Sequence, residues 1–275
     1  TSISFIIRYW RISLPDSIVF DEVYFGNFTN YYIQSRFYHD IHPPLAKLIM
    51  FYFAKLSDYD GQMSFQHNKN GYPRPDYVQL RIIPATFSAL VFPLIYISLR
   101  FSSFSHSSSI CASIIALCDI SLGTEGRHIL TDGILHFFTC LHIAVLCFTM
   151  SIKPKFRSSL YFFVWHLFTG LTLGAACACK NTAWGLTVFD AFCYIIHFSD
   201  IISIRKHHNQ MNSIEKSNNF RTRGNQSIEF FENEGIGGDI YDYLFDVCFF
   251  GLTLAIIALF VYCASFFTHF ILLPY

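Results

Sequence analysis

Two adjacent carboxylates, Asp21 and Glu22, stand where an apolar run gives way to polar sequence. Held close and both ionised they would repel, so one would keep its proton to a raised pH, which suits a general base. The same pair also reads as the solvated acidic start of a helix, where negative charge is favoured. Downstream, His39-Asp40-x-His42 has the residue types of half a metal site. The Pro43-Pro44 that follows fits the first turn of a helix. Further ionisable residues sit beside apolar runs at Arg8, Arg81, Asp119, Glu125, Arg127, Asp132 and Lys180. Such positions are costly in a membrane and default to functional roles. A helix end meeting water and headgroups explains any one of them, and explains a mixture of both signs on one face less well. Cys177-x-Cys179 lacks the second pair a metal site would need, so these thiols read as small apolar helix residues.

The elements that must position these groups are membrane helices. Of 275 residues, 53% are hydrophobic and 14% charged, with 32 Phe and a mean hydropathy of +0.38. A soluble domain carries about 25% charged residues, so an ordinary water-soluble globule is excluded, as is a disordered chain. The 19 Lys and Arg balance the 19 Asp and Glu, which leaves no basic footprint for nucleic acid. All nine Cys lie in apolar stretches and none in the polar stretch 13–80, where a disulfide framework would stand. The first apolar run, Ile3 to Ile12, carries Arg8 and Arg11 and falls short of the roughly 20 residues of a span. It is expected to be the tail of a longer helix, with the chain part of a longer protein. No signal-peptide pattern precedes it.

Between residues 44 and 56, Leu45, Leu48, Ile49, Tyr52, Phe53 and Leu56 recur at helical spacing, flanked by Lys47 and Lys55, which predicts an interfacial helix. Apolar runs of spanning quality follow near 82–100, 107–124, 128–150, 159–179, 182–202 and 244–265, and runs of this length in lipid mean helices. The polar stretch 203–243 reads as a loop. Arg100, the connector with Lys153, Lys155 and Arg157, and Arg205-Lys206 each lie two spans apart, so the positive-inside rule puts all three on the cytoplasmic side. Arg8, Asp21, Glu22, His42, Arg81, Arg127, Asp132 and Lys180, with Asp119 and Glu125, then fall on or near the opposite face.

In order along the chain, these segments resemble the protein O-mannosyltransferase family. Asp21-Glu22-Val23-Tyr24-Phe25-Gly26 is similar to its first luminal loop, D-E-x-H-F-G, with Tyr24 in place of His. Tyr31-Tyr32-Ile33 and Phe37-Tyr38-His39-Asp40-Ile41-His42-Pro43-Pro44-Leu45-Ala46-Lys47-Leu48 are similar to its Y-Y-x and D-x-H-P-P-x-G-K segments, with Ala46 where Gly is common. Tyr59-Asp60-Gly61, Tyr77 to Arg81, Gly126 to Asp132, Lys180 to Gly185 and Tyr262 to Leu272 continue the match.

The resemblance implies an all-α polytopic membrane protein. Its bundle would be of the GT-C glycosyltransferase type, its luminal first loop (13–80) would carry interfacial helices, and residues 203–243 would be cytosolic. A luminal MIR domain would follow the chain in a typical member. The implied enzyme sits in the endoplasmic reticulum membrane. It transfers mannose from dolichyl phosphate mannose to Ser or Thr hydroxyls of secretory proteins, as a homo- or heterodimer. In that reading Asp21 is the general base and Glu22 orients the acceptor or the base. Arg8 and Arg81 bind the donor phosphate through bidentate guanidinium contacts. His42 holds a loop group or touches the sugar, and Arg127, Asp132 and Lys180 support the phosphate region or form structural ion pairs. No metal ligand set is assigned and no cofactor is implied. Asn27-Phe28-Thr29 is a glycosylation sequon expected to be packed and unmodified, and Asn225-Gln226-Ser227 a second on the cytosolic side. Tyr24 and Ala46 keep a second reading open, a membrane subunit that supports an active partner. A third is a lipid-linked-sugar transferase with another acceptor.

Overall fold

The computed structural model describes residues 1–66, 71–152, 160–199 and 236–274. Among the described residues the regular structure is helical, joined by turns and irregular segments. Helices α1 (Ser2–Tyr9), α2 (Glu22–Ile33) and α3 (Leu45–Leu56) precede α4 (Tyr77–Phe101), α5 (His106–Leu117), α6 (Ile120–Glu125), α7 (Asp132–Ser151) and α8 (Leu160–Cys179). A three-ten turn, Asn181–Trp184, leads into α9 (185–199), and α10 (Ile236–Leu272) completes the chain. Among the described residues four helices are long and apolar enough to cross a membrane: Tyr77–Phe101, Asp132–Ser151, Leu160–Cys179 and Leu244–Leu272. Their rise of about 1.5 Å per residue covers a hydrocarbon core about 30 Å thick.

Three expectations about the runs change. The run 107–124 is not one helix but two, α5 and α6, because the Asp119 carboxylate accepts from Leu122 N–H at 2.8 Å and starts a new helix there. The run 182–202 begins with the three-ten turn, and α9 is described only to residue 199. Of the stretch 203–243, residues 203–235 lie outside the described residues, as does the sequon at Asn225, while 236–243 already belong to α10. The connector residues Lys153, Lys155 and Arg157 also lie outside the described residues.

Helices α4, α7, α8 and α10 pack in that order, α4 on α7, α7 on α8 and α8 on α10, with α1 against α4. Lipid offers no hydrophobic gain between helices, so close approach depends on small residues. Gly174 of α8 supplies it: a Cβ there would lie 2.8 Å from the Ala258 backbone of α10. Gly170, one turn earlier, meets Ile257 in the same way. Polar side chains tie the same helices. His142 Nε2 lies 2.9 Å from Asp190 Oδ1, and His166 sits between Tyr194 Oη at 2.6 Å and Thr253 Oγ1 at 2.7 Å.

Helix α3 forms where periodicity predicts it, but its rotation differs. Ala46, Lys47, Leu48, Met50, Phe51 and Ala54 face inward, against α2, α4, α8 and α10. Tyr52, Phe53 and Leu56 of the expected apolar stripe are exposed, the surface an interfacial helix offers to lipid. Lys47, expected to flank that stripe, is instead buried. The free thiols Cys177 and Cys179 are buried in α8, as small apolar residues would be.

Candidate active site

Arg81, four residues into α4, is fully buried beside Glu22 at the start of α2. Its Nε donates to Glu22 Oε1 at 2.7 Å and its Nη2 to Oε2 at 2.8 Å, a bidentate pair. The remaining N–H groups go to backbone carbonyls: Nη1 to Pro15 at 2.6 Å and Ile12 at 3.3 Å, Nη2 to Ser17 at 3.1 Å. Glu22 is equally occupied. Oε2 accepts from Val19 N–H at 2.8 Å and Tyr72 Oη at 2.9 Å, and Oε1 from Ile129 N–H at 2.9 Å. Burial pushes the Glu22 carboxyl up, but the hydrogen bonds and charge of Arg81, with nearby His128 and the Ile129 N–H, hold it down at about 2.

These contacts bear on three expectations. Repulsion does not raise the Glu22 carboxyl, because Glu22 is paired with Arg81 and buried. All the Arg81 donors are taken by Glu22 and by the chain between α1 and α2, so in this arrangement none is left for a donor phosphate. Both Glu22 oxygens are likewise engaged within this buried cluster. It fixes the segment that carries Asp21.

Asp21 occupies the N-cap position of α2, yet its side chain caps nothing and makes no hydrogen bond among the described residues. Half-buried, it opens on a cavity of about 390 Å³. Tyr24 and Phe28 of α2 line one side, and His39, Asp40, Ile41 and His42 the other. A free carboxylate at a helix start, facing a partly apolar cleft, can take a proton from a bound hydroxyl. His42 thus stands in the same cavity as Asp21. The carboxylate of Asp40, between His39 and His42, is taken by Lys47. Among the described residues no three His, Cys, Asp or Glu side chains are placed to hold a metal. Gly26 is needed one turn into α2, since a Cβ there would meet the buried Phe65 ring at 2.4 Å. The Asn27 amide is engaged by the carbonyls of Val23 at 2.7 Å and Phe65 at 3.2 Å, as a packed sequon requires.

Arg8 is buried in α1, with its guanidinium 4.8 Å from the centre of the Phe92 ring and Nε donating to Ser88 Oγ at 3.1 Å. Its Nη2 is buried without a partner. Arg127, in the loop before α7, donates through Nη2 to the Trp10 carbonyl, and its Nε is also buried without a partner. The two cations lie within electrostatic reach of each other. Burial and then the charge of Arg81 depress the Arg127 pKa. An unsatisfied buried donor on a charged group costs about 1–3 kcal/mol or more, a cost that an anion placed there would offset; the Asp119 carboxylate already acts on Arg8 at longer range. Asp132 and Lys180 do not join it. They pair at 2.9 Å across the ends of α7 and α8.

Contacts among these residues place them at one end of the bundle. Glu22 reaches Ile129, Asp132 reaches Lys180, Asn181 meets Ile41 and Tyr262, and Tyr32 meets His269. Several contributors were missed from sequence. Ser88 looks like an ordinary small helix residue until Arg8 is seen against it. Tyr72 lies in a stretch read only as loop. Asp190 carried a usable signal, a carboxylate inside an apolar run.

Fold and site together define a multispanning, all-helical membrane protein of the GT-C type, with its ionisable residues gathered at one end. The family model for dolichyl-phosphate-mannose-protein mannosyltransferases matches residues 1–273, and the chain belongs to that family. It is 37% identical over 186 residues to dolichyl-phosphate-mannose–protein mannosyltransferase 4 of Schizosaccharomyces pombe, covering 66% of this chain and 23% of the relative. It is 35% identical over 183 residues to mannosyltransferase 2 of Candida albicans, covering 66% and 24%. The chain thus spans about a quarter of the length of these relatives. A solved structure of the Saccharomyces cerevisiae protein O-mannosyltransferase Pmt1–Pmt2 complex bound to the sugar donor superposes with a TM-score of 0.70 at 25% identity, covering 99% of this chain and 33% of that one.

Proposed function

We propose that the protein transfers mannose from dolichyl phosphate mannose to Ser or Thr hydroxyls of secretory proteins, with residues 13–80 on the luminal face of the endoplasmic reticulum membrane and 203–243 on the cytosolic side. The observation that carries this is the unpaired Asp21 on its cavity, at the same end of the bundle as the unsatisfied buried guanidinium of Arg8. Asp21 takes the acceptor hydroxyl proton as the oxygen attacks the anomeric carbon of mannose. The bond from that carbon to the phosphate oxygen breaks, and its electron pair leaves on dolichyl phosphate. One displacement inverts the anomeric centre. Arg8 and Arg127 hold the donor phosphate and stabilise the charge that develops on it. Glu22 and Arg81 are positioning residues that fix Asp21. His42 lies on the acceptor side of the same cavity, and Asp132 with Lys180 braces the helix ends. These steps assign roles to this chain's side chains, and the metal requirement is left to the test below. The complex formed by the yeast relatives supports pairing with a second family member.

The test uses microsomes containing the full-length protein, labelled dolichyl phosphate mannose and a Ser/Thr-rich peptide. Alkali-labile mannose on the peptide is expected, with Asp21→Asn reducing the rate by at least two orders of magnitude. Activity that survives Asp21→Asn refutes the base assignment, and loss on chelation adds a metal to the mechanism.

A further inference from the structure

The cavity beside Asp21 has one rigid wall and one that has no regular structure. Helix α2 supplies Tyr24 and Phe28, whereas His39 to His42 belong to an irregular segment. That segment has no backbone ladder to hold it, so side chains must. One does. Lys47, in the first turn of α3, reaches back and donates through Nζ to the Asp40 carboxylate and to the His42 carbonyl at 2.8 Å. The Lys47 side chain is 3% exposed and that of Asp40 13%. Aromatic rings close the ammonium in, Phe28 at 5.5 Å and Tyr38 at 5.9 Å. Asp40 also accepts from the Ile41 N–H at 2.8 Å, so the pair is stitched to the backbone of the wall itself. Phe28 belongs to both arrangements, touching the ammonium and lining the cavity, which sets the distance between the walls.

We infer that Lys47 is a positioning residue for the protein acceptor: clamped to Asp40 and His42 from helix α3, it holds the 39–42 wall of the cleft at the width that seats an extended peptide hydroxyl against Asp21. This rests on the mannosyl-transfer reading above. It also assigns the two faces of the site to different substrates. The cleft between Tyr24 and Ile41 takes the acceptor, and the Arg8 and Arg127 region takes the donor.

Lys47→Met keeps the length of the side chain and removes its charge and donors. It leaves Asp40 buried without its partner and the His42 carbonyl without its donor, so the wall has reason to relax toward water. Steady-state transfer in microsomes with the full-length protein should show the acceptor KM raised about tenfold or more, with the donor KM within about twofold of wild type. Asp40→Asn should do the same. The double variant should be no worse than either single one, since both remove one shared pair. It also leaves no buried charge unpaired, so it carries the test if Lys47→Met fails to accumulate. A merely structural role would lower the melting temperature and reduce transfer at saturating acceptor without moving the acceptor KM. That result overturns the inference, as does an acceptor KM within twofold of wild type in the double variant. Wild-type protein that transfers no mannose overturns the mannosyl-transfer reading as well, so the two failures are distinguishable.

Discussion

Replacing Glu22 by Gln keeps the side-chain shape and removes one charge from the most heavily bonded carboxylate in the site. The amide oxygen can take the place of Oε1 and still accept from Arg81 Nε and Ile129 N–H. The amide nitrogen then faces Arg81 Nη2 and Val19 N–H, both donors, where Oε2 had accepted at 2.8 Å. Tyr72 can turn its hydroxyl to accept, but the two donors cannot. Each unsatisfied buried group costs about 1–3 kcal/mol, and the guanidinium also loses its counter-ion. Breaking a buried ion pair from one side costs about 3–5 kcal/mol. For a chain of this size that lowers the melting temperature by roughly 6–20 °C, read as a thermal shift of detergent-solubilised protein. The pH dependence has a defined sign. With its pKa lowered from 4.5 to about 2, Glu22 stabilises the folded state fully above 4.5 and loses that contribution as pH falls toward 2. The wild type should lose about 3 kcal/mol more than the variant over that window. Exchanging both partners, Glu22→Leu with Arg81→Met, removes the charges together and should recover part of the loss. A Gln variant that melts within 2 °C of wild type, with an unchanged acid limb, would refute Glu22 as the structural hub of the site.

Three other outcomes follow from the same geometry. Gly26→Ala places a methyl group against the Phe65 ring at 2.4 Å, so folded yield should fall, and a second change, Phe65→Leu, should restore it. Arg8→Lys keeps a charge but loses the fork, so the donor KM should rise about tenfold with the acceptor KM unchanged; Arg127→Lys should act in the same direction, and a purely acceptor-side effect from either would contradict the anion site. Asp190→Leu leaves His142 without its 2.9 Å partner inside the bundle and should cost about 1–3 kcal/mol in thermal stability, while acceptor and donor KM stay within twofold of wild type.

How much of this was legible in the chain differs from residue to residue. Asp21 and Glu22 are conspicuous as a pair, and nothing in their adjacency says that they do different jobs. Successive residues on a helix point roughly 100° apart, so α2 sends one to the cleft and the other to the core. Only the buried Arg81 of α4, to which Glu22 is bonded, decides which. The stripe on α3 is visible at helical spacing, and so is the flanking Lys47. That Tyr52, Phe53 and Leu56 of the stripe face outward while Leu48 and Lys47 face inward depends on what α2, α4, α8 and α10 leave uncovered. Likewise Arg8 and Arg81 look alike in sequence, each an arginine in or beside an apolar run.

By itself the sequence determined the medium, the helical class, the approximate spans and the gathering of ionisable residues at one end, because low charge and long apolar runs are properties of local composition that lipid reads directly. The tertiary structure decided the partners. Glu22 and Arg81 are 59 positions apart and Arg8 and Ser88 are 80 apart, and no periodicity links them. Which arginine is spent on a carboxylate and which is left with a buried, unanswered N–H follows from distance in the folded bundle, and with it the division of the site into a holding pair and a binding pair.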